Sequence, residues 1–359
     1  MSLYRKYRPK IFAEIAGQEH IKTTLQNEIA LNSTVHAYVF SGPRAVGKTT
    51  TARIFVRALN CEKRKPGESE PCNTCGPCSA LLENRTLDMM EIDAASHTGV
   101  DNVRENIIAA ARVANADLTF KAFIIDEAHM LSNAAFNALL KLMEEPPTHV
   151  VFILATTEIH KVPATVVSRC QRFDFKKIPA DQMEKRLNKL VKSEMKEIDP
   201  TVIEAIIRLS EGCERDAESL LGQVLSLDER SVSAEKAAII LPRSNRALVE
   251  QLVKNLFEKK TSDGMKIVEK IIDEGVDLIA FTDDIIDYLR SVLLIQCGLE
   301  DLVSATEREK KELERRAKEF SEAALLSMIE YFATAQKDSR FFAIKQLPLE
   351  VAIVKSCAE

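Results

Sequence analysis

The chain has 359 residues, of which 46% are hydrophobic and 29% are charged, a composition that is typical of globular proteins and excludes wholesale disorder. Its length is enough for about two or three domains of roughly 150 residues each. The formal net charge of -5 excludes nucleic-acid binding through bulk positive charge, so any DNA contact needs a local surface.

Strands and helices alternate in the first half of the chain. Short apolar segments bounded by polar residues predict buried strands at Ala37–Ser41, Met89–Ile92, Ala122–Asp126 and Val150–Ala155. Amphipathic segments predict helices between them, at Lys48–Leu59, Val100–Val113 and Ala134–Met143. This alternation predicts an α/β fold with a parallel sheet that is covered by helices on both faces. Ligands of such sheets bind beyond the carboxyl ends of the strands.

The second half of the chain is predicted to be helical. Helices are expected at Asp181–Met195, Pro200–Leu209 and Asp216–Leu225, and apolar stripes at helical spacing continue from Pro242 onward. We therefore expect three domains: an α/β domain at 1–177, a small helical domain at 178–241 and an all-α domain at 242–359.

The first predicted strand leads into a phosphate-loop motif. The segment Gly42-Pro43-Arg44-Ala45-Val46-Gly47-Lys48-Thr49, with Thr50 after it, matches G-x-x-x-x-G-K-[ST] and precedes a predicted helix. In this motif, backbone N–H groups and the helix N-terminus hold phosphate oxygens. We expect Lys48 to reach the β and γ phosphates of ATP and the Thr49 hydroxyl to ligate Mg²⁺.

Two adjacent carboxylates, Asp126 and Glu127, follow the apolar segment Phe123-Ile124-Ile125. Asp126 is expected to hold Mg²⁺, directly or through water, and Glu127 to polarise the attacking water as a general base. Because neighbouring residues of a strand point to opposite faces, we expect the two carboxylates to have different roles. The lone His129 behind them is interpreted as structural.

Four of the eight cysteines, Cys61, Cys72, Cys75 and Cys78, lie close together and predict a structural zinc module at 61–78. An iron–sulfur cluster also accepts four cysteines, but nothing in the sequence indicates redox chemistry. The basic segment 1–10 is not followed by an apolar signal region, and no apolar run reaches the roughly 18 residues that span a bilayer. Together with the cysteine usage, these features predict a reducing, cytoplasmic location.

Further motifs follow one another along about half of the chain. They are Tyr7-Arg8-Pro9 with Phe12, Gly17-Gln18-Glu19-His20, Leu59-Asn60-Cys61, Glu91-Ile92-Asp93-Ala94-Ala95-Ser96, Phe136-Asn137-Ala138-Leu139-Leu140-Lys141, Glu144-Glu145-Pro146-Pro147, Leu154-Ala155-Thr156-Thr157 and Ser168-Arg169-Cys170. With the phosphate loop and the cysteine cluster, they make the sequence resemble the gamma/tau clamp-loader subunits of bacterial DNA polymerase III, within the AAA+ ATPases.

The resemblance implies an AAA+ phosphate-loop domain with a zinc-binding insertion, then a small helical lid and an all-α C-terminal collar that holds subunits together. It implies that Thr157 is a sensor near the γ-phosphate and that Arg169 is an arginine finger for the ATP of a neighbouring subunit. Arg215 would be a lid arginine on the chain's own nucleotide. By the same resemblance, Tyr7, Arg8, Pro9 and Ile15 would lie near the adenine.

The resemblance also implies partners. The chain would be an ATP hydrolase that assembles with other clamp-loader subunits, further copies of itself among them, opens the sliding clamp and loads it on primer–template DNA. It would act within the DNA polymerase III holoenzyme, whose reaction class is that of a transferase, DNA-directed DNA polymerase. DNA contacts are implied at the helix starts with Ser96, His97, Thr98, Ser132 and Asn133, although ordinary helix N-caps explain the same residues.

Ala45 stands where related phosphate loops often have glycine. If that position does not require positive φ, alanine fits, and we expect an effect on affinity rather than on function. Two alternative functions stay open. A AAA+ DNA helicase of the branch-migration type is disfavoured by the cysteine insertion, and a non-catalytic nucleotide-binding scaffold is disfavoured by the intact phosphate loop and acidic pair.

Overall fold

The computed structural model describes residues 2–96, 107–227, 230–237, 240–241, 246–303, 305, 307–339, 341–342 and 344–358. The chain divides into two compact units. The first comprises Met1–Lys196 and Leu209–Ser226, and the second comprises Glu197–Arg208 and Leu227–Glu359. Within the described ranges, every helix is too short or too polar to cross a membrane.

A parallel sheet forms the centre of the first unit. In the described part of the chain its strands are β1 (Ala37–Ser41), β2 (Met89–Asp93), β3 (Lys121–Asp126), β4 (Val150–Thr156) and β5 (Gln171–Asp174), in the order β2-β3-β4-β1-β5. Tyr38 of β1 therefore pairs with Ile153 of β4 on one side and with Gln171 of β5 on the other. The parallel sheet that the alternating pattern predicts is confirmed, and β5 is an additional edge strand.

The sheet has an apolar core on each face. Tyr38 and Phe40 of β1 belong to one core and Val39 to the other, because successive side chains of a strand point to opposite faces. All five residues of β1 and all seven of β4 are buried, which explains why these strands are apolar up to their last residues, Ser41 and Thr156.

Helices surround the sheet and continue the chain beyond it. Among the described residues, the first eight are α1 (Leu3–Lys6), α2 (Glu19–Ala30), α3 (Lys48–Leu59), α4 (Gly76–Leu82), α5 (Ala109–Ala111), α6 (Asn133–Glu144), α7 (Ala164–Val167) and α8 (Ala180–Ser193). They are followed by α9 (Pro200–Ser210), which has residues in both units, and by α10 (Glu214–Leu225) of the first unit. Most of the predicted helix Val100–Val113 lies outside the described residues.

The second unit is almost entirely helical, as predicted. Its helices after α9 are α11 (Ala234–Ala237), α12 (Arg246–Phe257), α13 (Thr261–Asp273), α14 (Leu278–Gln296), α15 (Glu307–Ala317), α16 (Glu322–Asp338) and α17 (Leu347–Ala358). A short parallel pair, β6 (Glu197–Ile198) with β7 (Ser231–Val232), accompanies them. The core is built around α14, where Phe281, Ile285 and Leu289 are fully buried. The domain boundaries at 177 and 241 stay a prediction.

Candidate functional site

The phosphate loop connects the end of β1 to the start of α3, and two glycines give it its shape. Gly42 has φ +145°, and a Cβ atom there would lie 2.3 Å from the Phe175 carbonyl oxygen. Gly47, with φ +98°, is the N-cap residue that precedes α3. Both positions therefore need glycine, one because of close backbone approach and both because of positive φ.

Ala45 adopts the left-handed conformation, with φ +59°. Alanine was expected to fit only if this position does not require positive φ, and that condition is not met. A Cβ atom in the left-handed conformation costs roughly 1–2 kcal/mol. The loop keeps this shape partly because the Ala45 carbonyl accepts a hydrogen bond from the Glu214 N–H at 3.0 Å.

Ala45→Gly is therefore expected to raise the free energy of unfolding by about 0.5–1 kcal/mol, the relief of strain exceeding the extra chain entropy of glycine. Urea unfolding of the purified chain measures this change. Ala138→Gly in the interior of α6 is the matched control and should lower stability by about 1 kcal/mol. Equal losses in both variants would contradict the account of Ala45.

Lys48 is the first residue of α3, and its side chain folds back onto the loop. Its Nζ donates hydrogen bonds to the carbonyl oxygens of Gly42 at 2.8 Å and Pro43 at 2.6 Å. Burial lowers the pKa of Lys48, while the charges of Glu127 and Asp126 oppose that shift. The ammonium group is thus held in a largely desolvated place beside the acidic pair, where its attraction for phosphate is stronger than in water.

The hydroxyl of Thr49 donates a hydrogen bond of 2.8 Å to Asp126 Oδ2, so the two predicted Mg²⁺ ligands are adjacent. Glu127 lies just beyond the end of β3 in the left-handed conformation, with φ 47° and ψ 44°. The expectation that Asp126 and Glu127 point to opposite faces of a strand is wrong, because this turn brings both carboxylates to one cavity.

Glu127 is surrounded by hydrogen-bonding side chains. Thr157 Oγ1 donates to Glu127 Oε2 at 3.4 Å, and His129 Nδ1 lies 3.5 Å from the same oxygen. His129 Nδ1 also lies 3.1 Å from Thr156 Oγ1, and its Nε2 lies 3.4 Å from Glu158 Oε1. These contacts agree with the structural role interpreted for His129 from the sequence. They also place its ring directly beside Glu127, the predicted general base.

A cavity of about 360 Å³ in the first unit is lined by Lys48, Thr49, Asp126 and Glu127. Its lining includes most of the residues predicted to bind ATP, namely Arg8, Pro9, Arg44, Ala45, Gly47, Lys48, Thr49, Thr50 and Arg215. The other predicted residues, Tyr7, Ile15, Gly42, Pro43 and Val46, are absent from the lining described. Ile15 instead packs in the core, and the Tyr7 carbonyl accepts a hydrogen bond from Arg186 at 2.7 Å.

Four lining residues were not predicted: Tyr4, Asp93, Glu214 and Glu218. Tyr4 lies beneath Arg215, whose guanidinium carbon is 5.7 Å from the ring centroid. Glu214 and Glu218 stand one turn apart on α10 and share a buried partner, Arg186 of α8, at 3.0 and 2.7 Å. The single guanidinium group of Arg186 therefore forms ion pairs with both carboxylates.

Burial raises the pKa of Glu218 from 4.5 to about 7, the Glu214 charge adds to this shift, and Arg186 opposes it. Between about pH 4.5 and 7, Glu218 is therefore protonated in the folded state and ionised in the unfolded chain. The resulting stabilisation is complete below this window and is lost as the pH rises through it.

We expect the free energy of unfolding of the chain to fall between pH 5 and pH 8 by about 1–3 kcal/mol more than that of Glu218→Gln. Urea unfolding at both pH values measures the difference. Glu211→Gln, which removes an exposed carboxylate just before α10, is the control and should keep the wild-type pH dependence. An unchanged pH dependence in Glu218→Gln would refute the assignment.

Arg169 lies away from this cavity. Its guanidinium donates to Glu144 Oε1 at 2.7 Å, and 37% of the side chain is exposed. Of the residues implied for DNA contact, Ser132 caps α6 by accepting from the Ala135 N–H at 3.2 Å, and Asn133 is the first residue of that helix. Ser96 donates to Asp93 at 3.4 Å. His97 and Thr98 lie outside the described residues.

The four clustered cysteines meet in space. The sulfur atoms of Cys61, Cys72, Cys75 and Cys78 all lie within 4.8 Å of one another, and all eight cysteines of the chain are free thiols. A tetrahedral ion with Zn–S bonds of about 2.3 Å needs sulfurs roughly 3.8 Å apart, and Cys72 Sγ lies 4.0 Å from Cys78 Sγ. The cluster therefore fits one tetrahedral metal ion.

Hydrogen bonds favour a thiolate at Cys72, one of the four clustered cysteines. The N–H groups of Thr74 and Cys75 donate to Cys72 Sγ at 3.4 and 3.3 Å, and the Cys72 N–H donates to Cys61 Sγ at 3.3 Å. Burial opposes ionisation of Cys72, but the hydrogen bonds from Thr74, Cys75 and Cys61 together outweigh it and lower the pKa of Cys72 to about 6. Burial raises the pKa of Cys78, whose ionisation would need a bound cation.

A parallel sheet of this strand order, with a phosphate loop after β1 and an acidic pair after β3, defines a phosphate-loop protein of the AAA+ type. Residues 17–179 match the family model described as "DNA polymerase III, delta subunit". Residues 232–358 match "DNA polymerase III subunits gamma and tau domain III". The chain belongs to the family of DNA polymerase III gamma and tau subunits, which confirms the resemblance seen in the sequence.

Curated relatives agree with this assignment. The chain is 40% identical to DNA polymerase III subunit tau of Bacillus subtilis (strain 168), over 99% of this chain and 63% of the relative. It is 35% identical to DNA polymerase III subunit gamma/tau of Mycobacterium bovis, over 99% of this chain and 62% of the relative. The chain thus spans less than two thirds of the length of these relatives.

Among solved structures, the Thermotoga maritima RuvB Holliday junction branch migration motor is similar, with a TM-score of 0.50 and 18% sequence identity. The match covers 86% of this chain and 98% of that chain. At this identity the likeness concerns the fold alone, which is the AAA+ fold.

Proposed function

We propose that the chain is an ATPase subunit of the replicative clamp loader and uses ATP binding and hydrolysis to open the sliding clamp and load it on primed DNA. The observation that carries this proposal is the single cavity that contains Lys48, the Thr49–Asp126 pair and Glu127, in a chain of the gamma and tau family. The chain's own chemistry is ATP hydrolysis, and DNA-directed DNA polymerase activity belongs to the holoenzyme in which it works.

Each group of the cavity has a role in this proposal. The loop amides and Lys48 hold the phosphates, and Thr49 and Asp126 ligate Mg²⁺, which when bound neutralises phosphate charge. Glu127 accepts a proton from the attacking water. Thr157 orients the Glu127 carboxylate, to which it donates at 3.4 Å. Arg215, placed at the start of α10, brings the lid helix to the chain's own nucleotide.

Arg169 is proposed to act on the ATP of a neighbouring subunit. Its exposure and its position away from its own cavity are compatible with a contact in trans. To make that contact, the guanidinium must exchange Glu144 for phosphate oxygens, and its planar fork suits both partners. Hydrolysis would then depend on assembly, and we propose that the domain at 242–359 is the collar that holds the subunits together.

DNA contact is proposed at the start of α6. Ser132 and Asn133 are exposed there, and N–H groups at a helix N-terminus bind phosphate without a cationic side chain. Such a surface would hold DNA only when several subunits present it together, which agrees with the negative net charge of the chain.

The cysteine cluster is proposed to hold structural Zn²⁺. All four ligand positions are supplied by Cys61, Cys72, Cys75 and Cys78, so a tetrahedral ion would have no open position for catalysis. Zinc would fix the 61–78 module against the end of α3, because Cys78 Sγ also lies 3.9 Å from the Arg57 carbonyl oxygen.

The proposal is tested with the chain assembled with its partner subunits, by measuring ATP hydrolysis with and without sliding clamp and primed DNA. We expect the clamp and the DNA together to stimulate hydrolysis, and Arg169→Ala to abolish the stimulation. Arg172→Ala, which removes another exposed, ion-paired arginine, is the matched control and should retain it.

Three outcomes would contradict the proposal. Hydrolysis that is unaffected by clamp and DNA would exclude a clamp-loading motor. ATP-driven unwinding of a DNA duplex would favour a helicase instead. ATP binding without hydrolysis in every assembly would indicate a scaffold.

A further inference from the structure

A second cavity, of about 530 Å³, adjoins the candidate ATP site in the first unit. Tyr4, Arg8, Pro9, Thr50 and Arg215 line both cavities, so the two spaces are neighbours that share these residues. We call the second space the cationic cavity, because its remaining lining includes Arg5, Lys6, Lys10, Arg53 and Arg57. None of the described residues that line it is acidic.

Few of these charges are neutralised by carboxylates. Lys6 pairs with Glu194 at 2.7 Å and Arg53 with Glu91 at 2.6 Å, and neither carboxylate is among the residues that line the cavity. In the described part of the chain, no carboxylate lies within ion-pair distance of Arg5, Lys10 or Arg57. The cationic cavity therefore has a surplus of positive charge that the protein itself does not balance.

Arg57 shows that this surplus extends into the protein. Only 6% of the residue is exposed, and one terminal nitrogen donates to the Lys10 carbonyl at 3.0 Å. Its Nε has no hydrogen-bond partner among the described residues. A buried guanidinium with an unpaired N–H group is costly, and an anion in the cavity that Arg57 lines would stabilise its positive charge.

We propose that the cationic cavity binds a second small phosphorylated ligand, separate from the ATP at the phosphate loop. Phosphate oxygens accept several N–H bonds at once from guanidinium groups. The volume is that of a small-molecule site. DNA presents its charges along an extended backbone, whereas these cations converge on one concave space. This inference goes beyond the proposed ATPase function and does not depend on it.

Two kinds of ligand would bring phosphate groups to the cationic cavity: an inorganic oligophosphate, and a nucleotide with a phosphate on its ribose. Equilibrium dialysis of the full chain tests both, with labelled tripolyphosphate in one arm and adenosine 3′,5′-bisphosphate in the other. A saturating non-hydrolysable ATP analogue and a fixed free Mg²⁺ concentration keep the phosphate loop occupied. We expect one equivalent of probe per chain in addition to the analogue, and the tighter probe identifies the source.

Variants locate the bound probe. Arg57→Gln and the exposed double variant Arg5→Gln/Lys10→Gln should each weaken probe binding at least about tenfold, which is about 1.4 kcal/mol. Lys185→Gln/Lys189→Gln removes the same charge from the exposed face of α8 and should leave binding unchanged. The double variants test the proposal even if Arg57→Gln fails to fold.

Several results would overturn the inference. These are the absence of a second equivalent in the wild-type chain, displacement of the probe by excess ATP analogue, and equal weakening in both double variants. Displacement by primed DNA at lower concentrations than either probe would show that the surface serves nucleic acid. Loss of ATP hydrolysis leaves this test untouched, so the two proposals fail separately.

Discussion

Glu127→Gln is expected to lower ATP hydrolysis by a factor of about 10²–10⁴, the usual contribution of a general base. Glutamine keeps the shape and accepts the Thr157 hydrogen bond but does not accept a proton from water. The phosphate-binding groups, Lys48 and the loop, are unchanged by the substitution. Nucleotide affinity should therefore stay within about threefold of wild type, as measured by equilibrium binding beside steady-state hydrolysis in the assembled complex.

Glu158→Gln is the matched control for this prediction. Glu158 also contacts His129, at 3.4 Å, and pairs with Lys161 at 2.9 Å, but it is not among the residues that line the cavity. Its loss should change hydrolysis little. Equal losses in both variants would show that the His129 cluster acts as a structural unit, and a loss of ATP binding in Glu127→Gln would place Glu127 among the binding groups.

The part of the site that is contiguous in sequence could be predicted. The loop from Gly42 to Thr50 and the pair at 126–127 are short motifs whose residues are neighbours in the chain, and parallel strands bring their carboxyl ends together. The remaining wall is built by tertiary packing. Tyr4 and Glu218 are far apart in sequence, and both reach the cavity because α10 packs beside the N-terminal segment, where Arg215 lies over the Tyr4 ring.

Local backbone conformation at two positions of the site could not be predicted from the sequence either. Ala45 and Glu127 both adopt positive φ, which non-glycine residues take up only when their surroundings impose it. The hydrogen bond from the Glu214 N–H to the Ala45 carbonyl helps to hold Ala45 in this conformation, and the turn after β3 helps to hold Glu127 in it. Strand β5 was missed because four residues, Gln171–Asp174, with only one buried, give no apolar run.

The cysteine cluster shows the opposite case, in which sequence spacing alone located a three-dimensional site. Two Cys-x-x-Cys steps place Cys72, Cys75 and Cys78 on one tight turn and the first turn of α4, and Cys61 follows the end of α3. Asn73 takes the left-handed conformation within that turn, with φ 57°. The identity of the metal depends on chemistry that the spacing does not distinguish, since zinc and iron–sulfur clusters both use four thiolates.

Removal of the zinc proposed for the cysteine cluster is expected to destabilise the first unit strongly. The purified chain should contain one zinc ion per molecule by elemental analysis, without the visible absorption of an iron–sulfur cluster. A strong chelator should lower its free energy of unfolding by about 4 kcal/mol or more, the value that corresponds to free zinc at 1,000 times Kd. Cys78→Ser should lose the zinc and most of this stability, because Cys78 is fully buried.

Cys297→Ser is the control for that experiment, since Cys297 is exposed and remote in sequence from the cluster. It should keep both the zinc and the stability. Re-addition of Zn²⁺ to the chelated wild-type chain should restore the unfolding transition, whereas Mg²⁺ should not, because thiolates prefer the softer ion. A metal-free chain that is as stable as the zinc-bound one would mean that the hydrogen bonds around Cys72 suffice to hold the 61–78 module.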